Sequence, residues 1–397
     1  MINKNNKNIF PLNNYFPIRK CPCCDFNKHE LLFKQKFIHI NMMSLIDSYN
    51  VVACDKCGFV FASEIPDQNV FEEYYRRFNK YETNFKQSNK LTGKYKYIID
   101  PIKQLFPSKE THIIDLGCAK SEILRTLKKE GYKYLFGVDP SKKNISFLKS
   151  KGINGIQSSI LEIDFKIKYD LVILNAVLEH IVDLREAIQK AINLLNDNGM
   201  LMIFVPDMND LKRSKLLPFD EFSPEHINFF TRKTLTNIML QYGYQEKFIF
   251  PSVYLLSVFQ KNKNNNIFVI SKDNEGIESV KMYIKKSIFY EKEINNKIKQ
   301  YFKNPLIIWG FGAFTRRLLL YNDIKNIVAI VDSDERYNGI FFENIPIITL
   351  KKGMFDDIPI LICTNERHIN SIIDMIRNKI RSNNSILTLH ENYKFLY

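Results

Sequence analysis

The sequence predicts an α/β protein: two Rossmann-like series, with a small cysteine-rich module before the first. Three observations carry this. Short apolar runs alternate with amphipathic stretches in two separate regions. Two Cys-x-x-Cys pairs stand before residue 60, and an Asn/Lys-rich stretch, 261–275, separates the two series. The expected divisions are 1–90 for the N-terminal module with a tyrosine-rich connection, 91–262 for the central domain and 275–397 for the C-terminal one.

In order, LLFKQKFIHI and VVACDKCGFVFA read as β runs around the cysteines, and QNVFEEYYRRFNKYETNFKQ as a polar segment helical in its first half. HIIDLG (112–117) is a buried strand, followed by a helix with Leu124 and Leu127 inward. YLFGVD (134–139), GIQSS and YDLVILNAV (169–177) are the next three strands. LREAIQKAINLLNDNG reads as an amphipathic helix stopped by its glycine, and MLMIFVP (200–206) as the fifth strand. EKFIFPSVYLLSVFQ (246–260) suits a closing antiparallel pair. After a helix at about 276–302, the second series runs through LIIWGFG, RRLLLYND, IVAIVDSD, IPIITL and IPILICT.

The composition is globular, with 45% hydrophobic and 25% charged residues, which excludes a disordered or fibrous chain. No apolar run approaches the roughly 18 to 20 residues of a membrane span. The polar start MINKNNKNIFPLNNYF lacks a secretory h-region, so a cytoplasmic protein is expected. The net charge of +14 favours anions, whether nucleotides, nucleotide-sugars, nucleic acid or acidic membrane, and alone does not choose among them. KNKNNN at 261–266 reads as solvated linker, because Lys and Asn are abundant throughout.

Five of the seven cysteines precede residue 60. Cys21 and Cys24, then Cys54 and Cys57, form two C-x2-C knuckles, the pattern of one structural zinc ion. Gly58 suits a knuckle whose amides turn toward sulfur, and Cys23 is a spare ligand. Four sulfurs leave no open position, so this ion is expected to contribute to folding and leave chemistry untouched.

Asp115-Leu-Gly117-Cys-Ala-Lys-Ser121 follows the first strand of the series and opens a helix, and Asp139 ends the second strand. Glycine permits close backbone approach, and an acid at strand two suits ribose hydroxyls. The turn lacks the G-x-G-x-x-G of a pyrophosphate site, and an acid closing strand one suits an amine-bearing ligand. These residues resemble the class I S-adenosylmethionine-dependent methyltransferases. The resemblance implies that Asp115 and Gly117 frame the methionine moiety, Asp139 binds the ribose, Ser159 and Ile160 flank adenine, and Asn175 lines the methyl-donor pocket.

The whole order is similar to the sugar C-methyltransferase family, which acts on nucleotide-linked deoxy-keto sugars. The likeness rests on the two cysteine pairs, the DLGC turn, Glu225-His226, and Trp309-Gly-Phe-Gly-Ala313 with Asp332. It implies S-adenosyl-L-methionine and one structural Zn(II) as cofactors, and acid/base work by a His–Glu neighbourhood after strand five. His226 is the expected base, with Glu225 to hold its imidazole or a sugar hydroxyl. His180 in LEHI reads equally as structural, substrate-lining or catalytic. The family's Tyr-x-Glu-His is broken here, because Ser223 stands where the tyrosine belongs; Tyr75 or Tyr81 is a candidate replacement. Thr315 replaces the third glycine of a dinucleotide fingerprint, leaving packing, a substrate-nucleotide grip and an NAD site all open for that turn.

Two other readings stand beside carbon methylation: oxygen methylation in glycan synthesis, and nucleic-acid methylation with the zinc module as reader. The last is disfavoured, since no Lys/Arg block with interleaved aromatics accompanies the cysteines.

Overall fold

The computed structural model describes residues 16–38, 45–77, 93, 95–210, 217–250, 254–263, 269–299, 303–322, 325–334, 337–351, 353–355, 357–364, 366–380 and 384–389. They form two compact units, one drawn from 1–35, 48–213 and 224–281, the other from 36–47, 214–223 and 282–397.

The first unit opens with β1 (His29–Lys36), β2 (Ser48–Cys54) and β3 (Val60–Ser63), then α1 (Gln68–Arg77) and α2 (Lys96–Leu105). An alternating series follows: β4 (His112–Leu116), α3 (Glu122–Lys129), β5 (Tyr134–Asp139), α4 (Lys142–Ser150), β6 (Asn154–Gln157) and β7 (Tyr169–Asn175). After a 3-10 turn, Leu178–His180, come α5 (Leu184–Asn193), β8 (Leu195–Val205), β9 (Asn228–Phe229), α6 (Arg232–Gln241), β10 (Tyr244–Phe250) and β11 (Leu255–Lys261).

The helices start where short polar side chains satisfy otherwise orphaned amides. Ser121 accepts from the Leu124 amide, Ser141 from that of Asn144, and Thr231 closes a capping box with Thr234. The large sheet runs β10-β11-β8-β7-β4-β5-β6. Its strands from β8 to β6 are parallel, and the expected closing pair is antiparallel. The strand order reverses beside β4, which places a ligand crevice at the carboxyl ends of β4 and β7.

Two local readings are corrected. Gly199 does not stop α5: that helix ends at Asn193, and the glycine lies inside β8. A Cβ there would meet the Tyr169 carbonyl oxygen at 2.9 Å, so it serves close strand approach at a register shift between β7 and β8. The stretch FDEFSPEHINFF after strand five, whose sequence reads as a loop, contains β9, which pairs antiparallel with β3. The cysteine sheet is therefore ordered β1-β2-β3-β9. A continuous buried cluster joins Cys21, Phe59 and Phe61 to Phe230, Leu174 and Leu178. The far end of the Asn/Lys-rich stretch is also anchored: Asp273 donates its amide to the Cys57 carbonyl and accepts from the Thr231 hydroxyl.

α7 (Asn274–Ile298) leads into the second unit. That unit contains β12 (Leu306–Trp309), α8 (Ala313–Leu320), β13 (Ile327–Val331), β14 (Phe341–Phe342), β15 (Ile345–Ile348), β16 (Ile360–Ile362), α9 (Glu366–Asp374) and β17 (Ile386–Thr388). Its sheet, β14-β15-β13-β12-β16-β17, is parallel apart from β14. The chain is thus an α/β protein with a cysteine-bearing antiparallel sheet, a central Rossmann-like sheet and a C-terminal, mainly parallel one. No helix among the described residues is long and apolar enough to cross a membrane.

Candidate functional site

The donor half lies at the ends of β4, β5 and β7. Asp115 is 2% exposed, and burial pushes its carboxyl up to about 7. Its Oδ2 accepts from the Ser121 hydroxyl at 2.8 Å, while its buried Oδ1 has no hydrogen-bond partner. The buried Oδ1 of Asn175, at the end of β7, has none either. Two orphaned acceptors at adjacent strand ends are costly unless a donor arrives, and an ammonium group fits them. Gly117 has φ 74°, and a Cβ there would lie 2.6 Å from Val177 Cγ2. Ala119, Ser121 and Ala176 also have positive φ, at 46°, 29° and 55°. Strained backbone thus lines this crevice.

Asp139 anchors the facing loops. Its Oδ2 accepts from the Ala119 amide at 2.8 Å, and its Oδ1 from the Ser141 amide at 2.9 Å and Asn144 Nδ2 at 3.0 Å. Ser159 and Ile160 are buried after β6, with the Ser159 hydroxyl donating to Glu72 of α1 at 2.6 Å.

A second cluster, the candidate acceptor half, is built by the turn after β7 and the segment before β9. His180 Nδ1 lies 2.9 Å from the Glu225 carbonyl oxygen, and the His180 and His226 rings are 4.9 Å apart. The Ile227 amide donates to the Glu179 carbonyl at 2.8 Å, and Asn228 Nδ2 to the carbonyls of Leu178 and Ile181. Arg19 in turn holds Asn228 Oδ1 at 3.0 Å. Helix α1 packs over this cluster: the Tyr74 hydroxyl donates to Glu225 Oε1 at 3.1 Å, and the Tyr75 ring meets that of His180 at 5.9 Å. Gln68 Oε1 accepts from the Val182 amide at 2.8 Å.

The predicted residues His180, Glu225 and His226 therefore come together, as do Asp115, Gly117, Asp139 and Asn175 at the strand ends. Sequence reasoning passed over Glu72, Gln68, Glu179 and Asn228, and reached Tyr74 only as one of the tyrosines of 74–81. The signal for Tyr74 was the missing phenol at position 223; Tyr81 lies outside the described residues.

In the cysteine sheet, the sulfurs of Cys21, Cys24, Cys54 and Cys57 all lie within 4.8 Å of one another. Cys21 to Cys57 is 3.5 Å and Cys24 to Cys54 is 3.6 Å. A tetrahedron with about 2.3 Å zinc–sulfur bonds has sulfur–sulfur edges near 3.8 Å, so the donor set fits one such ion. Gly58, at φ 76°, allows the Asp273 backbone to approach where a Cβ would clash at 2.6 Å.

In the second unit, the Asp332 carboxylate is engaged by the amides of Phe311 and Asp334 at 2.7 and 2.8 Å. The buried Thr315 hydroxyl donates to the Cys363 carbonyl at 3.0 Å, tying α8 to the end of β16. These contacts favour packing at the third-glycine position, while a Cβ on Gly312 would meet nothing within 4 Å.

Residues 91–246 match the family described as methyltransferase domain. Ubiquinone biosynthesis O-methyltransferase of Bradyrhizobium diazoefficiens is 27% identical over 103 residues, covering 24% of this chain and 40% of the relative. That of Rickettsia conorii is 29% identical over 136 residues, covering 33% and 46%. The chain spans about half the length of the curated relatives it matches. Among solved structures, magnesium protoporphyrin IX methyltransferase from Synechocystis, with bound SAH, aligns at 15% identity and TM-score 0.39, over 49% of this chain and 100% of that one. A Burkholderia thailandensis 1,6-didemethyltoxoflavin-N1-methyltransferase aligns at 12% identity and TM-score 0.39, over 58% and 100%. The chain carries a class I S-adenosylmethionine-dependent methyltransferase domain.

Proposed function

We propose that this chain methylates a nucleotide-activated deoxy-keto sugar at carbon, with S-adenosyl-L-methionine as donor and Zn(II) in the four-sulfur site. The observation that carries the reading is the His180–Glu225–His226 cluster beside the donor strand ends, with Tyr74 closing over it. Bound donor supplies a methyl group already activated on a sulfonium. The protein's tasks are then alignment and removal of the acceptor's proton.

Asp115 and Asn175 are the acceptors for the methionine ammonium, and Asp139 for a ribose hydroxyl. Ser159 and Ile160 flank the adenine. The His226 imidazole takes the proton from the acceptor. Glu225 and His180 fix its surroundings. Tyr74 stands in for the phenol absent at Ser223: its one hydroxyl hydrogen, held by Glu225 here, would turn to the acceptor oxygen as an enolate develops.

Methylation at oxygen is the second reading, favoured by the curated O-methyltransferase relatives. The deciding experiment incubates the enzyme with labelled donor and a panel of nucleotide-sugars, reading product mass and linkage. A carbon-linked methyl group on a keto-sugar supports the proposal; an ether-linked one moves the assignment to oxygen. Methyl transfer to RNA or DNA and to no sugar would replace both.

A further inference from the structure

A second set of metal-ligating atoms lies apart from the four sulfurs. One oxygen of Glu179, one nitrogen of His180 and one of His226 lie within 4.8 Å of one another. We propose that Glu179, His180 and His226 hold a divalent transition-metal ion that faces the methyl acceptor.

The donor set is two imidazoles and one carboxylate, a combination that binds first-row divalent metals and leaves coordination positions open. The tautomer of His180 supports the assignment. Its Nδ1 lies 2.9 Å from the Glu225 carbonyl oxygen, which can only accept, so Nδ1 carries the hydrogen. Nε2 then presents a lone pair, and Glu179 Oε1 is 3.9 Å from it. That separation is beyond a hydrogen bond. It is within the span of about 4.2 Å available to two ligands that each approach a metal to roughly 2.1 Å.

The surroundings are also those of a ligand site. A metal-binding imidazole characteristically gives its other N–H to a carbonyl or carboxylate, as His180 does here. Glu179 is 2% exposed and His180 8% exposed. Their segment is fastened to that of His226 through the Ile227 amide and the Asn228 side chain. Little ordering remains for an ion to impose.

The role of the ion rests on the methyl-transfer reading above; its binding does not. A coordinated acceptor oxygen would be polarised, or its hydroxyl made more acidic, which is the assistance lost with a phenol at Ser223. A His226 nitrogen committed to the ion is no longer a base. Were the ion bound, Glu225 would be the carboxylate left to take the acceptor's proton, and the ion would supply charge stabilisation at the acceptor oxygen. Occupancy thus decides which of two roles His226 takes.

The test titrates zinc-loaded, full-length protein with Co(II), following visible absorption and measuring bound metal after dialysis. One further cobalt per chain is expected, with d–d bands and no thiolate charge-transfer band. His180→Gln, His226→Gln and Glu179→Gln should each weaken this binding by at least about 10- to 100-fold, while zinc content and donor affinity persist. His226 is the more exposed ligand, so H226Q decides the matter if the other variants lose zinc. No second ion at about 1 mM cobalt, thiolate bands on the second ion, or unchanged affinity in H226Q would overturn the site. Failure to methylate any sugar would leave the titration standing. A failed titration would leave the methyl-transfer reading intact, with His226 as its base.

Discussion

The Tyr74 hydroxyl donates to Glu225 Oε1 across 3.1 Å, joining the helix after the cysteine sheet to the segment before β9. The two residues are 151 positions apart. Both belong to elements that the cysteine sheet anchors, because α1 follows β3 and the Glu225 segment leads into β9, the strand paired with β3. The acceptor half of the site is thus built partly by the N-terminal module.

Tyr74→Phe should therefore impair turnover without disturbing the donor. A hydrogen bond to a charged group contributes about 1.5–3 kcal/mol, discounted here for partial solvent access. The expected loss in kcat/KM is about tenfold, since each 1.4 kcal/mol is a factor of ten. Calorimetry should give donor affinity equal to that of the unsubstituted protein. A kcat/KM within twofold would show that this phenol neither positions Glu225 nor assists the acceptor.

The same connection revises the expectation that zinc leaves chemistry untouched. β3 carries the pairings Val60↔Phe229 and Phe61↔Asn228, immediately after His226. Loosening the sulfurs should release that segment as well as the fold. Purified protein should hold about one zinc per chain in the four-sulfur site. Its removal by chelation, or Cys54→Ser with Cys57→Ser, should lower turnover by at least about tenfold as the acceptor residues lose their support. Metal analysis alongside activity and thermal unfolding checks this; a zinc-free chain with full activity and unchanged melting would refute the coupling.

Much of this fold was legible because its signals are local. HIIDLG and YLFGVD announce buried strands and their turns, and two C-x2-C pairs announce four sulfurs. β9 was not legible: it has two residues, and what makes it a strand is β3, distant in sequence. Tyr74 was not told apart from its neighbouring tyrosines for a related reason, since a tyrosine in a polar helix has no pattern that names its partner. Gly199 misled because a glycine after an amphipathic helix usually ends it, while here it relieves a backbone approach that only the sheet creates. In each case the deciding contact is tertiary.

The titration of Asp115 makes donor binding dependent on pH. Burial raises its carboxyl from an ordinary 3.8 to about 7 in the folded chain. Between those values the folded state holds a proton that the unfolded state has lost. This group's contribution to stability therefore falls as pH rises through that window, and levels off above it. A donor ammonium favours the ionised carboxylate instead. Donor affinity should rise with pH up to about 7, with proton release on binding below that point. Calorimetry in buffers of different ionisation enthalpy measures the release. Asp115→Asn should bind donor weakly and without this slope; a slope that survives the substitution assigns the titration elsewhere.

Asp139 should matter twice. Asp139→Ala removes an acceptor for the donor's ribose and also strands the Ala119 and Ser141 amides and Asn144 Nδ2. Donor binding should weaken by about 1.5–3 kcal/mol, the contribution of one hydrogen bond to a charged group. The donor-free fold should lose about 1–3 kcal/mol for each amide left buried and unpaired. Asn144→Ala removes only one of these contacts and separates the two effects. Equal donor affinity in both variants would leave Asp139 with a structural role alone.

The last prediction concerns proton removal. A sugar hydroxyl and a carbon beside a ketone are both too weakly acidic to react unaided near neutrality, so a positioned acceptor for the proton is required. His226 stands 4.9 Å, ring to ring, from His180, in the segment fastened to the turn after β7. His226→Ala should lose about 10²- to 10⁴-fold in turnover, the range typical of removing a general base. Donor affinity should be preserved, because His226 clusters with His180 and Glu225 rather than with Asp115 and Asp139. The same loss follows if His226 acts by holding an ion, and only then does added Co(II) alter the rate. Carbon and oxygen acceptors are told apart by exchange: with the demethylated donor product bound, a C-methylating enzyme should exchange the hydrogen beside the ketone with deuterated water, and His226→Ala should slow that exchange in proportion to turnover. An O-methylating enzyme should exchange nothing. Full activity in His226→Ala would remove the base assignment, and slow turnover with rapid exchange would place the defect in methyl transfer itself.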